Sequence, residues 1–154
     1  GRFDREKMAV ISPDIGGVKR ASKFAAKLGV PLAILDKRRP KDNVAEMVHI
    51  IGDVEGKTAI IFDDIIDTGR SLVEAAKMLK SNGAKKIYAC ATHGVLSGEA
   101  TKIIAESEIE KVFITDTIYH EDLPDNIMVL SIAPLLAEAL TRVRKNLSVS
   151  ILFR

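Results

Sequence analysis

Short apolar runs alternate with amphipathic stretches along the whole chain. Runs at residues 8–12, 31–36, 58–62, 86–91, 112–115 and 128–132 are mostly continuous rather than strictly alternating. That pattern predicts strands buried on both faces. Between them, Leu72, Ala75, Ala76 and Leu79 recur at i, i+3, i+4 and i+7. The spacing predicts a helix over 70–82 with its apolar stripe on a sheet and Lys77 and Lys80 in water. Gly83 stands where a helix C-terminus favours glycine. Val18, Ala21, Ala25 and Leu28 form a similar stripe ahead of Gly29 and Pro31, and residues 97–107 and 133–146 read as two more helices. The stripe from Leu135 to Val143 reads as ordinary helix packing, open to sharing with a neighbouring subunit. Residues 44–54 alternate loosely and end in Gly52-Asp53 and Glu55-Gly56, which predicts an extra edge strand and a turn. Strand and helix in alternation predict an α/β fold, a mainly parallel sheet flanked by helices. Such sheets bind ligands beyond the carboxyl ends of their strands, so the strand-to-helix turns are the candidate sites. No repeat or linker divides the chain, and residues 1–154 are expected to form one domain.

Composition narrows the function classes. A chain of 154 residues buries about two-thirds of its surface on folding, enough for one good core. Hydrophobic residues are 47% and charged ones 29%, and no apolar stretch nears the ~18–20 residues that span a bilayer. No secretory leader opens the chain, and the single Cys90 has no disulfide partner, so a reducing cytoplasm is expected. The net charge of +2 is too balanced for bulk attraction to nucleic acid, and aromatics are 5% with no Trp. Neither a nucleic-acid nor a membrane partner is expected. The chain begins Gly-Arg-Phe-Asp and reaches its first Met at position 8, which suggests a trimmed piece of a longer protein.

Three turns carry chemistry. In the first, Ala59 to Phe62 are apolar, Asp63 and Asp64 follow as the strand emerges, and Asp67-Thr68-Gly69-Arg70-Ser71 opens a helix. Backbone N–H groups at a helix start, a glycine and two hydroxyls make a phosphate cradle. Carboxylates beside a phosphate site need another duty: accepting hydrogen bonds from vicinal sugar hydroxyls, or holding Mg²⁺. Helix capping is the bland alternative, but it needs one carboxylate and not three. In the second turn, Ser12-Pro13-Asp14-Ile15-Gly16-Gly17, two glycines allow positive φ and close approach, and Asp14 sits at a strand tip with free lone pairs. In the third, Asp36-Lys37-Arg38-Arg39-Pro40-Lys41, four of six residues are basic. Such a run suits a mobile loop closing on an anionic substrate, where cations stabilise a transferring phosphoryl group. A solvated basic loop or a nucleic-acid patch is the plain alternative.

The first turn resembles the phosphoribosyl-binding motif of the type I phosphoribosyltransferase fold. The three turns in this order resemble the C-terminal half of the ribose-phosphate diphosphokinase (PRPP synthetase) family. The similarity continues through residues 91–98 and 115–117 to the terminal Ser148-Val-Ser-Ile-Leu-Phe153. The resemblance implies diphosphate transfer from ATP to the anomeric hydroxyl of ribose 5-phosphate, giving PRPP and AMP, with Mg²⁺ as cofactor. It implies catalytic roles for Lys37 and Arg39, the latter also at the substrate. Asp63 and Asp64 would hold the ribose hydroxyls, and Asp67, Thr68, Gly69, Arg70 and Ser71 the 5-phosphate. Asp14 would be a metal ligand, and Ser148, Val149, Ser150, Ile151, Leu152 and Phe153 a regulatory stretch at subunit contacts. Family members usually carry a small residue at the place of Arg70 and often Thr at that of Ser71. Arg70 could crowd the phosphate loop or add a charge-assisted bond. The resemblance further implies a homo-oligomer, hexameric in the family, with a dimer open to this piece. Without the N-terminal half, where the family keeps most of its ATP-adenine contacts, the isolated chain is expected to be inactive.

Other features are set aside. Gly52 to Thr58 mimics a Walker A loop but has one residue too few between its glycines and precedes a strand. His49, His93 and His120 lack zinc spacing. His93 is expected to be structural rather than to line the crevice, His120 to be solvated in its acidic turn, and Cys90 to be core. A stand-alone PRPP-using phosphoribosyltransferase would explain residues 63–71 but not the basic run. A non-catalytic regulator would have no need of Asp14, Lys37, Arg39 or the acid pair.

Overall fold

The computed structural model describes residues 4–38 and 47–153 of the chain. The apolar runs form strands β1 (Met8–Ser12), β2 (Leu32–Arg38), β4 (Thr58–Ile66), β5 (Lys86–Gly94), β6 (Lys111–Thr115) and β7 (Ile127–Leu130), with β3 at Met47–Ile51. Helices α1 (Val18–Leu28), α2 (Arg70–Ser81), α3 (Ala100–Ala105) and α4 (Ala133–Arg144) lie between or after them. One sheet in the order β3-β2-β1-β4-β5-β6-β7 results, parallel except for the antiparallel β2–β3 pair at one edge. The α/β, mainly parallel architecture and the extra edge strand are as the sequence predicts.

Helices α1, α2 and α3 land where their apolar residues direct them. Val10 faces Ala21 and Ala25 of α1, and Phe24 of α1 stacks on Phe62 of β4 with ring centroids 4.3 Å apart. Ile11, Ile61, Ile87 and Ile114 point to the other face, against Leu72, Ala75, Ala76 and Leu79 of α2 and Ile104 of α3. The sheet is thus covered on both sides, which is why β1 is buried at all five residues. Among the described residues, no helix is long and apolar enough to cross a membrane.

Three expectations need correction. β4 and β5 run further than residues 62 and 91, because Ile65 and Ile66 go on pairing with His93 and Gly94 past the end of β1. The helix predicted over 97–107 shortens to α3, because Ser97 is held against Asp67 by its N–H and its hydroxyl and Leu96 takes φ 52°. The apolar stripe of α4 does not pack: no residue of α4 is buried, and Leu135, Leu136, Leu140 and Val143 are all at least half exposed.

Candidate active site

The strand order reverses direction between β1 and β4, the two neighbours from which the chain winds outward to either edge. A crevice outside the carboxyl ends at such a switch point is where open α/β sheets take ligands. A cavity of about 300 Å³ lies there. Pro13 and Asp14 line it from the turn after β1, Asp63, Ile65 and Ile66 from β4, and Asp67, Thr68, Gly69, Ser71 and Leu72 from the loop and first turn of α2.

The first turn of α2 begins uncapped by any side chain. Gly69 stands at the helix N-cap with φ 74°. The first N–H groups of a helix have no acceptor within it and carry the positive end of its dipole. With Thr68 and Ser71 supplying hydroxyls on the same wall, the cavity offers donors suited to an anion. Gly69 is needed twice over. Its φ is left-handed, and a Cβ there would lie 3.2 Å from Ile104 Cδ1.

The same cavity is also lined by carboxylates. Asp63 Oδ1 accepts from the N–H of Asp64 at 2.8 Å, and burial pushes the Asp63 carboxyl up to about 6, with the charges of Asp64 and Asp14 adding to the shift. Asp64 moves the other way, held below the usual carboxylate range by its hydrogen bond with Asp63 and by the Arg20 guanidinium. Arg20 Nη2 lies 3.1 Å from Asp64 Oδ1 and 3.8 Å from Asp63 Oδ1. At the longer distance it does not offset what burial and two neighbouring carboxylates do to Asp63. The pair therefore holds one proton more readily than two separate carboxyls would.

Asp14 differs in detail from the strand-tip acid expected with free lone pairs. Its Oδ1 accepts from Gly17 N at 2.7 Å, and its carbonyl accepts from the Ser12 hydroxyl at 2.7 Å. Neither Gly16 nor Gly17 has positive φ. They serve close approach instead, since a Cβ on Gly17 would lie 3.0 Å from Ser12 Oγ. Asp14 and Asp63 share one cavity and one negative field, and Mg²⁺ characteristically takes one or two carboxylates, several waters and substrate phosphates. The pair fits that partial coordination. No group of three or more His, Cys, Asp or Glu side chains forms a full cage among the described residues.

The cavity thus gathers Asp14, Asp63, Asp67, Thr68, Gly69 and Ser71, and not every residue expected there. Asp67 lines it but spends its carboxylate on the Ser97 hydroxyl at 2.5 Å, which ties the loop before α2 to the turn after β5. Asp64 is not part of the wall, because neighbouring strand residues project to opposite sides. Arg70 neither crowds nor lines it. It faces a separate hollow between α2 and α3, with Glu74, Lys77 and Glu106. Lys37 stands near the end of β2, in register with Val48, while Arg39 and Lys41 lie outside the described residues. The terminal stretch is apart from the cavity. Ser148 and Ser150 share a 2.8 Å hydrogen bond, the Ser148 carbonyl accepts from Arg142, and Ser150–Phe153 forms a 3-10 turn.

Sequence reasoning missed Arg20, which lies off the apolar stripe of α1, and Ser97, which read there only as a helix start. It also misplaced His120: rather than being solvated, the ring is half-buried and its Nε2 donates to the Gly94 carbonyl at 2.7 Å. His93 Nδ1 is hydrogen-bonded to Thr117 Oγ1 at 2.9 Å. Cys90 is mostly shielded, and burial pushes its thiol up to about 11, which keeps it protonated and unreactive.

The chain is 67% identical over 145 residues to a ribose-phosphate pyrophosphokinase of Thermosipho africanus, covering 94% of this chain and 46% of that protein. The crystal structure of phosphoribosylpyrophosphate synthetase from Mycobacterium smegmatis superposes with a TM-score of 0.82 at 42% identity, over 92% of this chain and 46% of that one. Orotate phosphoribosyltransferase from Aeropyrum pernix shares the fold at 21% identity, with a TM-score of 0.54 over 89% of this chain and 66% of that one. The chain spans about half the length of the curated relatives it matches. A family model described as phosphoribosyl synthetase-associated domain matches residues 38–154. With that match over more than half of its length, the chain belongs to the phosphoribosyl synthetase-associated domain family.

Proposed function

We propose that the chain is the ribose 5-phosphate-binding catalytic domain, C-terminal in the longer protein, of a ribose-phosphate diphosphokinase. The reaction joins the anomeric oxygen of ribose 5-phosphate to the β-phosphorus of ATP, breaks the α–β bridge and releases AMP with PRPP. The observation that carries this reading is one cavity lined both by the first turn of α2 and by the carboxylates of Asp14 and Asp63. A sugar phosphate asks for both features at one site.

The 5-phosphate sits on the N–H groups of Gly69, Arg70 and Ser71, with the hydroxyls of Thr68 and Ser71 completing its shell. Arg70 takes part through its backbone, since its side chain faces the α2–α3 hollow. Asp67 acts indirectly, holding the loop through Ser97. Asp63 and Asp64 accept from the ribose hydroxyls, which fixes the anomeric oxygen for in-line attack. Asp14, with Asp63 beside it, would hold Mg²⁺, which when bound neutralises phosphate charge. Lys37 and Arg39 are the cations that meet charge on the migrating diphosphoryl group. The terminal residues 148–153 are assigned to regulation at subunit contacts. The same reading makes the protein cytoplasmic and homo-oligomeric.

Calorimetric titration with ribose 5-phosphate and Mg²⁺ tests the assignment. Binding is expected for the 154-residue chain and is expected to fall at least tenfold in Asp63→Ala, with ATP bound weakly. No PRPP should form from ATP in a radiometric assay of the chain alone. Unchanged ribose 5-phosphate binding in Asp63→Ala would remove the site assignment, and full turnover by the isolated chain would remove its dependence on the other half.

A further inference from the structure

Arg20 belongs to none of the motifs that pointed to the site. It is the third residue of α1, and its guanidinium crosses to the end of β4, 3.1 Å from Asp64 Oδ1 and 3.8 Å from Asp63 Oδ1. The contact is about half-exposed on both the Arg20 and Asp64 sides. An ion pair so open contributes little to folding. Stability is therefore a poor reason for its geometry.

Local structure supplies a better one. Successive side chains of a strand leave on opposite faces, so Asp63 and Asp64 are not matched acceptors by default. Asp63 curls back onto the Asp64 N–H, and lines the cavity. Asp64 is not part of that wall, and its carboxylate is directed by Arg20. A planar guanidinium with several donors can span two carboxylates, which a point-charge ammonium does less well. Arg20 is also absent from the cavity lining among the described residues, whereas the donors suited to an anion stand in the loop and first turn of α2.

We propose that Arg20 is a positioning residue that sets the Asp63–Asp64 pair for two adjacent sugar hydroxyls. It thereby determines preference for a vicinal-diol sugar phosphate over its deoxy analogue, acting through the pair and not on the phosphate. The inference rests on the ribose 5-phosphate reading above. A site built to hydrogen-bond a hydroxyl discriminates strongly against a ligand lacking it, provided its acceptors are held in place.

The test is titration of the 154-residue chain, with Mg²⁺, against ribose 5-phosphate, 2-deoxyribose 5-phosphate and inorganic phosphate. Wild type should prefer ribose 5-phosphate to the deoxy compound. Arg20→Gln should weaken ribose 5-phosphate about tenfold and leave the other two within about threefold. Arg20→Lys should recover part of the loss, and in an Asp64→Asn background Arg20→Gln should have no further effect. Equal weakening of all three ligands would overturn the proposal, because Arg20 would then act on the phosphate or the scaffold. Undiminished discrimination in Arg20→Gln would overturn it as well, while leaving the substrate reading intact. Absence of ribose 5-phosphate binding by wild type would remove that reading and this inference together.

Discussion

Asp63 keeps a proton up to about pH 6, because burial opposes its charge and two more carboxylates stand nearby. Its folded pKa lies above the ordinary 3.8, so the folded chain binds this proton more firmly than the unfolded chain does. The stabilisation from Asp63 is complete below pH 3.8 and is lost as pH rises through about 6. At pH 7.5 the native state therefore holds a carboxylate it would fold better without. Asp63→Asn, which preserves an acceptor for the Asp64 N–H, should raise Tm at pH 7.5 by the equivalent of roughly 1 kcal/mol. The gain should vanish near pH 4, where wild type is protonated anyway. Thermal unfolding at the two pH values checks this, and an equal or lower Tm for the variant at pH 7.5 would show that the charge is already compensated. The candidate acids that line the cavity were legible in the sequence because each follows an apolar run or opens a helix. Their partners were not. Arg20 looks like any solvent-facing position of α1, and Ser97 reaches Asp67 across 30 residues of chain, a contact that periodicity does not encode.

Among the elements, α2 was read best, since its i, i+3, i+4, i+7 stripe, its stop and its loop all agree locally. The edge strand β3 was also legible, through loose alternation and the glycines that follow it. Ends were read less well where another element decides them. β4 outruns its apolar residues because β5 continues beside it, and α3 starts late because Ser97 is held by Asp67. The phosphate loop shows local and tertiary demands meeting at one residue. Gly69 takes φ 74°, and a Cβ would press on Ile104 of α3. Gly69→Ala should cost about 1–2 kcal/mol in urea unfolding from the left-handed backbone alone. It should also weaken inorganic phosphate binding, because relief of either demand tilts the first turn of α2. An alanine variant with wild-type stability and phosphate affinity would mean that the loop does not depend on this geometry.

Across the whole molecule, the two faces of the sheet are covered very unequally along its length. α1 packs over β1, and α2 and α3 cover the central strands on the other side, while α4 follows β7 with no buried residue. An apolar stripe establishes that a helix has a face to bury. It does not say which surface receives it, and so the sequence led to ordinary packing for a helix that adds nothing to this core. Two leucines of comparable helical setting separate the cases. Leu79 of α2 is fully buried in the main cluster, whereas Leu140 of α4 is 70% exposed. Leu79→Ala removes methyl groups from close-packed surroundings and should cost about 2–5 kcal/mol. Leu140→Ala leaves no cavity and should stay within about 0.5 kcal/mol. Urea unfolding of both variants at one low protein concentration measures the difference directly. Comparable losses would mean that α4 docks on the sheet in solution. A loss at Leu79 alone would mean that the fold and its cavity stand without α4, leaving that apolar face free of any role in holding the site together.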